Sequence, residues 1–344
     1  MGSFIDIFCH ILPPRYWRTV VGKTGGAGYM LKRMQGLPAL YDLDERFRIT
    51  DSFEGYIQVI SLAAPPIEAI ASPNESPELA RLANEEMAEL VRRYQDRFVG
   101  FVASLPMNNP DKAVEEAEYA IRHLGARGVQ IFTNVNGQPL DQEAYLPLFE
   151  TLARHDLPIW VHPTRKPAVA DYQNEGRSKY DIWWALGWPY ETSAFMARMV
   201  FWGLFDRFPD IKIITHHMGG LVPYLEGRIG HGLDSLGTRT DEEEDIRARE
   251  RLQKRPYDYF RMFYADTALF GSVAATECGL AFFGADRVLF ATDFPFDPQG
   301  GRLFVKETMQ VVQYMTCSPE DKQKIFEGNA RKILKLEEVR HGTS

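Results

Sequence analysis

Eight short apolar runs, each followed by a longer amphipathic or polar stretch, constrain the fold of this chain more than any other feature. They lie at residues 4–9, 56–61, 98–103, 128–132, 158–162, 211–216, 262–266 and 288–292. Most are continuous rather than alternating, the pattern of strands buried on both faces. Helical stretches are expected at 84–97, 110–124, 141–154, 193–208, 271–283 and 319–336, the last split by Gly328 and Asn329. The stretch at 110–124 opens with Pro110-Asp111, and Ser318 stands where a cap belongs. Strands alternating with helices imply right-handed βαβ units and a parallel sheet, and eight of them close a (β/α)8 TIM barrel. An open doubly wound sheet is the competing architecture, but no GxGxxG follows the first run.

A barrel of this kind accommodates all 344 residues as one domain, 1–344, since neither repeats nor a shift in composition mark a boundary. Two segments exceed simple connections: 13–55 after the first strand, and 163–190 after the fifth, the latter carrying Trp183, Trp184, Trp188 and Tyr190. Long loops of this sort often belong to a site. The net charge of -8, without a basic run, excludes a nucleic-acid footprint. Three cysteines, far apart and odd in number, suit a reducing compartment. With neither a signal-peptide pattern nor an 18-residue apolar window, a cytoplasmic protein with no membrane contact is expected.

Barrel enzymes place their reacting groups at the carboxyl ends of the strands. The polar residues ending the apolar runs are His10, His162, His216, His217, Asp266 and Asp293. Four of the eight histidines therefore fall on the expected rim. His123, His155 and His341 have helical or tail settings, and His231 sits between two glycines, where a structural or interface role is expected. Imidazoles with one carboxylate form the natural ligand set for zinc or a similar divalent ion.

These residues, together with Ile5-Asp6-Ile7-Phe8-Cys9-His10, Val161-His162-Pro163, Gly187-Trp188-Pro189-Tyr190, His217-Met218-Gly219-Gly220, Gly227-Arg228-Ile229 and Thr292-Asp293-Phe294-Pro295, carry a resemblance. Over nearly its whole length the chain resembles the amidohydrolase superfamily, in the branch of 2-amino-3-carboxymuconate-6-semialdehyde decarboxylase and γ-resorcylate decarboxylase. The resemblance implies His10, His162 and Asp293 as metal ligands, His217 as catalytic acid/base, and Asp293 as a ligand that also shuttles protons. It implies Arg228 as a substrate-carboxylate group, sometimes across a subunit interface, and hence a homodimer. Zinc is the expected ion, with manganese as the other choice. The implied activity is a metal-dependent, non-oxidative decarboxylation of an aromatic or muconate-type acid, a small-molecule substrate walled by Trp188, Tyr190 and Phe8.

One position departs from the family pattern. Its first strand ends in His-x-His or Glu-x-His with both outer residues on the metal, and the first of these is Phe8 here. Strand alternation puts residue 8 on the side of residue 10, with Asp6 deeper on that face and Cys9 opposite. Three protein ligands then remain, enough for a catalytic site with an open position. The alternative is a metal-free site that keeps His217 and Asp293 for proton transfer, or a hydrolase or hydratase acting on a lactone or oxo-acid. His216 is read as a supporting residue, and Asp266 as orienting a ligand or bonding backbone. Arg46 and Arg48 receive no role.

Overall fold

The structure, a computed structural model, describes residues 3–22, 28–239 and 241–336, so His341 lies outside the described residues. Nine strand segments occupy the eight expected positions: β1 (Phe4–Ile11), β2 (Tyr56–Leu62), β3 (Phe98–Phe101), β4 (Ala103–Ser104), β5 (Val129–Phe132), β6 (Ile159–His162), β7 (Ile213–Thr215), β8 (Tyr264–Asp266) and β9 (Val288–Leu289). β3 and β4 are one stave interrupted at Val102, whose N–H still donates to the Ile60 carbonyl at 2.9 Å. All pairings are parallel, in the orders β1-β2-β3 and β4-β5-β6-β7-β8-β9. Past β9 the chain returns to β1, where Ile7 N–H donates to Phe290 O (3.1 Å) and His10 N–H to Phe294 O (2.8 Å). These two bonds join the ends of the strand order, and the architecture is the TIM barrel read from the eight runs.

The interior is filled by Ile5, Ile7, Phe8, Val59, Val102, Trp160, Ile214 and Leu289, and the Trp160 indole N–H bonds the Ile7 carbonyl at 3.0 Å. A larger apolar layer lies between strands and helices. Helix boundaries differ from the sequence expectation in three places. The helix expected at 84–97 runs over Ser76–Arg93, because Pro77 in its first turn is a start signal that the apolar periodicity alone did not reveal. The helix expected at 193–208 begins at Gly187 and ends at Phe201; Gly203, at φ 75°, then turns the chain into a short second piece, Leu204–Arg207. Trp188 and Tyr190 thus stand on the first turns of a helix rather than in a loop. At the carboxyl end Gly328 does not split the helix. The chain stays helical from Pro319 to Ile333 through a π segment at Lys324–Gly328.

The departure with most consequence is in β1. Its register against β2 shifts between Asp6 and Cys9, where three steps along β1 match two along β2. This is a β-bulge, a device that re-aims side chains beside active sites. Consecutive residues Ile7 and Phe8 both pack into the barrel interior, while Cys9 belongs to the outer layer with its thiol 3.5 Å from the Tyr56 hydroxyl. Asp6 therefore does not share a face with Phe8 and His10, contrary to simple alternation. Its buried carboxylate accepts from Phe8 N–H (3.1 Å), Thr292 N–H (3.2 Å), the Thr292 hydroxyl and the Tyr56 hydroxyl (2.6 Å). Asp6 thus pins the bulge and ties it to the residue before Asp293.

Candidate active site

Three of the four imidazoles at the rim are oriented by a bond from the far nitrogen. His162, the last residue of β6, has Nδ1 2.7 Å from the Pro163 carbonyl. His216, just beyond β7, has Nδ1 2.6 Å from Asp266 Oδ2 on β8. His217 has Nδ1 2.8 Å from the Ala268 carbonyl. A carbonyl or carboxylate can only accept, so each Nδ1 donates its proton, and each neutral ring keeps its Nε2 lone pair for the interior. His10 lies on β1 past the bulge, and its own carbonyl is held by the Arg46 guanidinium at 2.8 Å.

The free ends converge. His10 Nε2 lies 3.0 Å from Asp293 Oδ1, and His216 Nε2 lies 3.5 Å from the same oxygen. Ligand atoms of His10, His162 and His216 all fall within 4.8 Å of one another, as do those of His216, His217 and Asp293. Phe8 lies against this group, its ring stacked on His216 at 3.8 Å and 20°. The backbone is strained where it delivers these groups: His217, Met218 and Asp293 have φ of 55°, 53° and 63°, and Gly219 and Gly220 continue the left-handed run at 73° and 64°. Non-glycine residues hold such angles only when the surroundings impose them, most often at functional sites. At Gly220 no side chain fits, since a Cβ would meet the Pro189 carbonyl at 2.3 Å.

Burial governs the protonation of the cluster. It lowers the pKa of His10 and takes that of His162 well below the ordinary value, with the neighbouring imidazoles adding to the effect on His162. Burial and the charge of His216 bring His217 down to about 4. At His216 the same burial is outweighed by Asp266 and Asp293, which raise its pKa to about 9. Burial opposes the ionisation of Asp293, but the close imidazoles of His10 and His216 outweigh it and hold the carboxyl well below the usual carboxylate range.

A cavity of about 730 Å³ opens above the cluster, with His162 and Asp293 at its base. Its walls include Trp183, Trp184, Trp188 and Phe296, with the Trp188 ring 5.3 Å from His162. Arg33, from the long first insertion, lines it as well. Its guanidinium sits 5.2 Å from the Trp184 ring and 5.4 Å from that of Phe296, and it donates to the Phe296 carbonyl at 2.8 Å.

The site residues expected from the sequence are therefore distributed unevenly. His10, His162, His217 and Asp293 meet at one rim, and Trp188 walls the cavity. Phe8 is wholly buried among the imidazoles and contributes no face to the cavity. Tyr190 is 56% exposed and lines a separate shallow depression beside Arg165. Arg228 is exposed on the helix Glu226–Asp234, outside the residues that line the cavity. Reading the sequence missed one residue, Arg33, and gave another, His216, a supporting role only. His216 lies in the cluster itself, bonded to the Asp266 side chain, and Arg33 reaches the cavity from a segment without periodicity. Asp266 bonds backbone, as one of the two expectations had it, accepting from the N–H groups of His217 (3.1 Å) and Ala268 (3.0 Å) with one oxygen, and it holds His216 with the other. Arg46 is a buried brace on the carbonyls of His10 and Ala39 and on Gln58, whereas Arg48 is exposed and paired with Glu45.

A parallel barrel with histidines and an aspartate at its carboxyl rim defines a metal-dependent barrel enzyme. The chain belongs to the amidohydrolase family, which matches residues 7–336. It is 33% identical over 305 residues to a γ-resorcylate decarboxylase of Polaromonas sp., covering 85% of this chain and 87% of the relative. It is 27% identical over 349 residues to the 2-amino-3-carboxymuconate-6-semialdehyde decarboxylase of Dictyostelium discoideum, covering 97% and 92%. Among solved structures it is similar to a dihydroxybenzoic acid decarboxylase from Polaromonas sp. with bound manganese and the inhibitor 2-nitroresorcinol. There the TM-score is 0.78 at 27% identity, with 98% of each chain covered.

The residues present fit a divalent cation. His10 Nε2 is a fully buried nitrogen that makes no hydrogen bond, since its 3.0 Å approach to Asp293 lacks hydrogen-bond geometry. Buried polar atoms of this kind require a partner. The neutral imidazoles of His10 and His162, the latter with its Nδ1 proton locked on the Pro163 carbonyl, and the ionised carboxylate of Asp293 are the donors that such an ion takes.

Proposed function

We propose that the chain is a metal-dependent, non-oxidative decarboxylase of a planar aromatic or muconate-type carboxylic acid. The observation that carries this reading is the convergence of imidazoles and one carboxylate beneath a cavity walled by tryptophans. His10, His162 and Asp293 would hold the ion. The sequence pointed first to zinc; manganese is the ion proposed here, on the precedent of the Polaromonas relative. A divalent ion at this place supplies positive charge that orients the acid and stabilises the electrons left on carbon when CO₂ departs. The hydrolase or hydratase reading gains no support from these relatives, which are decarboxylases.

The chain's own residues do the rest. Trp183, Trp184 and Trp188 present apolar surfaces that suit a flat ring and exclude water. Arg33, at the cavity wall, supplies the planar donor fork that a carboxylate or phenolate accepts. The reaction breaks the bond between ring carbon and carboxylate and forms a C–H bond at the same carbon, so one proton is consumed. His217 and Asp293 are the groups placed to deliver it. With a pKa near 4, His217 is neutral at pH 7, and its rare imidazolium is a strong acid toward carbon. The cytoplasmic expectation rests on three unpaired cysteines, and no helix among the described residues is long and apolar enough to cross a membrane.

The test is to incubate manganese-loaded protein with dihydroxybenzoates, a carboxyvanillate and a carboxymuconate, each labelled in the carboxylate, and to collect labelled CO₂. Release from at least one of them is expected. No release across the panel, from protein shown to contain manganese, overturns the reading.

A further inference from the structure

We infer that His216 is a protein ligand of the metal ion, filling the coordination place where Phe8 offers no donor. This deepens the metal-dependent reading above and rests on it.

The geometry singles out His216. Two groups of side chains among the described residues can hold an ion, His10 with His162 and His216, and His216 with His217 and Asp293. His216 is the member common to both. Donor atoms bound at about 2.1 Å lie about 3.0 Å apart at octahedral angles and about 3.4 Å apart at tetrahedral ones. The separations of 3.0 Å from His10 to Asp293 and 3.5 Å from His216 to Asp293 match these values to about 0.1 Å. His216 is wholly buried and does not line the cavity, so its Nε2 can reach the ligand cluster but not a substrate.

Its surroundings prepare it for coordination. The bond of Nδ1 to Asp266 fixes the proton on the far nitrogen, an arrangement in which a carboxylate orients a metal-binding imidazole and raises its basicity. The Phe8 ring, stacked at 3.8 Å, fixes the plane of the imidazole. Phe8 is itself turned inward by the bulge of β1 and carries no lone pair, so the donor on that side of the cluster comes from His216 on the far side of the stacked pair. An imidazole from the end of β7 thus compensates for an aromatic ring in β1.

The experiment uses the full chain, stripped of metal and reloaded with Mn²⁺. Calorimetric titration gives the Kd, and pulsed paramagnetic resonance of the loaded protein counts the histidine nitrogens on the ion. Three directly bound imidazoles are expected in the parent. His216→Ala should weaken Mn²⁺ binding at least tenfold and reduce the count to two, with circular dichroism unchanged. Two bound imidazoles in the parent overturn the inference whether or not His216→Ala folds, as does a folded His216→Ala with Kd within twofold of the parent. In those outcomes CO₂ release by the parent still supports the decarboxylase reading. A parent chain that binds no Mn²⁺ at millimolar concentration overturns both.

Discussion

His217 and Asp293 share an unusual combination, a strained backbone and a buried ionisable group. Holding a non-glycine residue near φ 55–63° costs of order 1–3 kcal/mol and persists only when the fold enforces it. Replacing His217 by Asn removes the proposed proton carrier while keeping a polar group. The expected result is a fall in kcat of about 10²–10⁴-fold, with manganese content unchanged by elemental analysis. Arg33 gives a second expectation at this scale. Loss of a charge-assisted bond worth about 1.5–3 kcal/mol should raise KM for the acid roughly 10–100-fold in Arg33→Ala, read from steady-state kinetics. Most of this site was legible because His10, His162 and Asp293 each end an apolar run. The part played by His216 was not, because two adjacent histidines follow β7, and strand alternation does not show that both reach the cluster. The left-handed turn beginning at His217, and Asp266 across the strand boundary, bring both rings there. Arg33 was illegible for another reason: its helix, Gly28–Gln35, belongs to an insertion whose position is set by contacts rather than by pattern.

Among the elements, the β1 bulge is the most consequential. Strand alternation predicts Asp6 and Phe8 on one face, and a single extra residue overrides it, because the buried carboxylate captures the Phe8 N–H and the two donors of Thr292. Asp6→Ala leaves several buried donors without an acceptor, at about 1–3 kcal/mol each. We expect thermal unfolding to report a loss of about 3 kcal/mol or more, with weakened Mn²⁺ binding through displaced Asp293. The short helix Ile67–Ala69 after β2 supplies a pH-dependent term. Burial raises the Glu68 pKa from the usual 4.5 to about 7. The folded state therefore binds more protons than the unfolded one between those values, and stability declines as pH rises across that window. Above pH 7 the full penalty applies, about 3 kcal/mol by linkage. Glu68→Gln should stabilise the protein at pH 8 and change little at pH 4, as measured by chemical denaturation at the two pH values. The positions of the eight staves were readable from continuous apolar runs. The starts of the helices 76–93 and 187–201 were not, since they depend on first-turn prolines and glycines rather than on periodicity.

For the whole molecule, the open question is how many copies assemble. Arg228 is exposed and remote from the cavity of its own chain, so a carboxylate-binding role requires a neighbouring subunit. We expect sedimentation to report a dimer at micromolar concentration and Arg228→Ala to raise KM. A monomer with unaltered KM would remove Arg228 from the site. The fold itself was evident from spacing alone, but no sequence pattern encodes which strands flank the closure. His10 N–H bonds the Phe294 carbonyl, one residue past Asp293, so the stitch that shuts the cylinder and the cation pocket occupy the same spot. An ion held, as proposed, by His10 and Asp293 would be a clasp between the two ends of the polypeptide. Chelation should then loosen the molecule first along its own hem, and the resting resilience of the enzyme will follow the supply of metal in its surroundings.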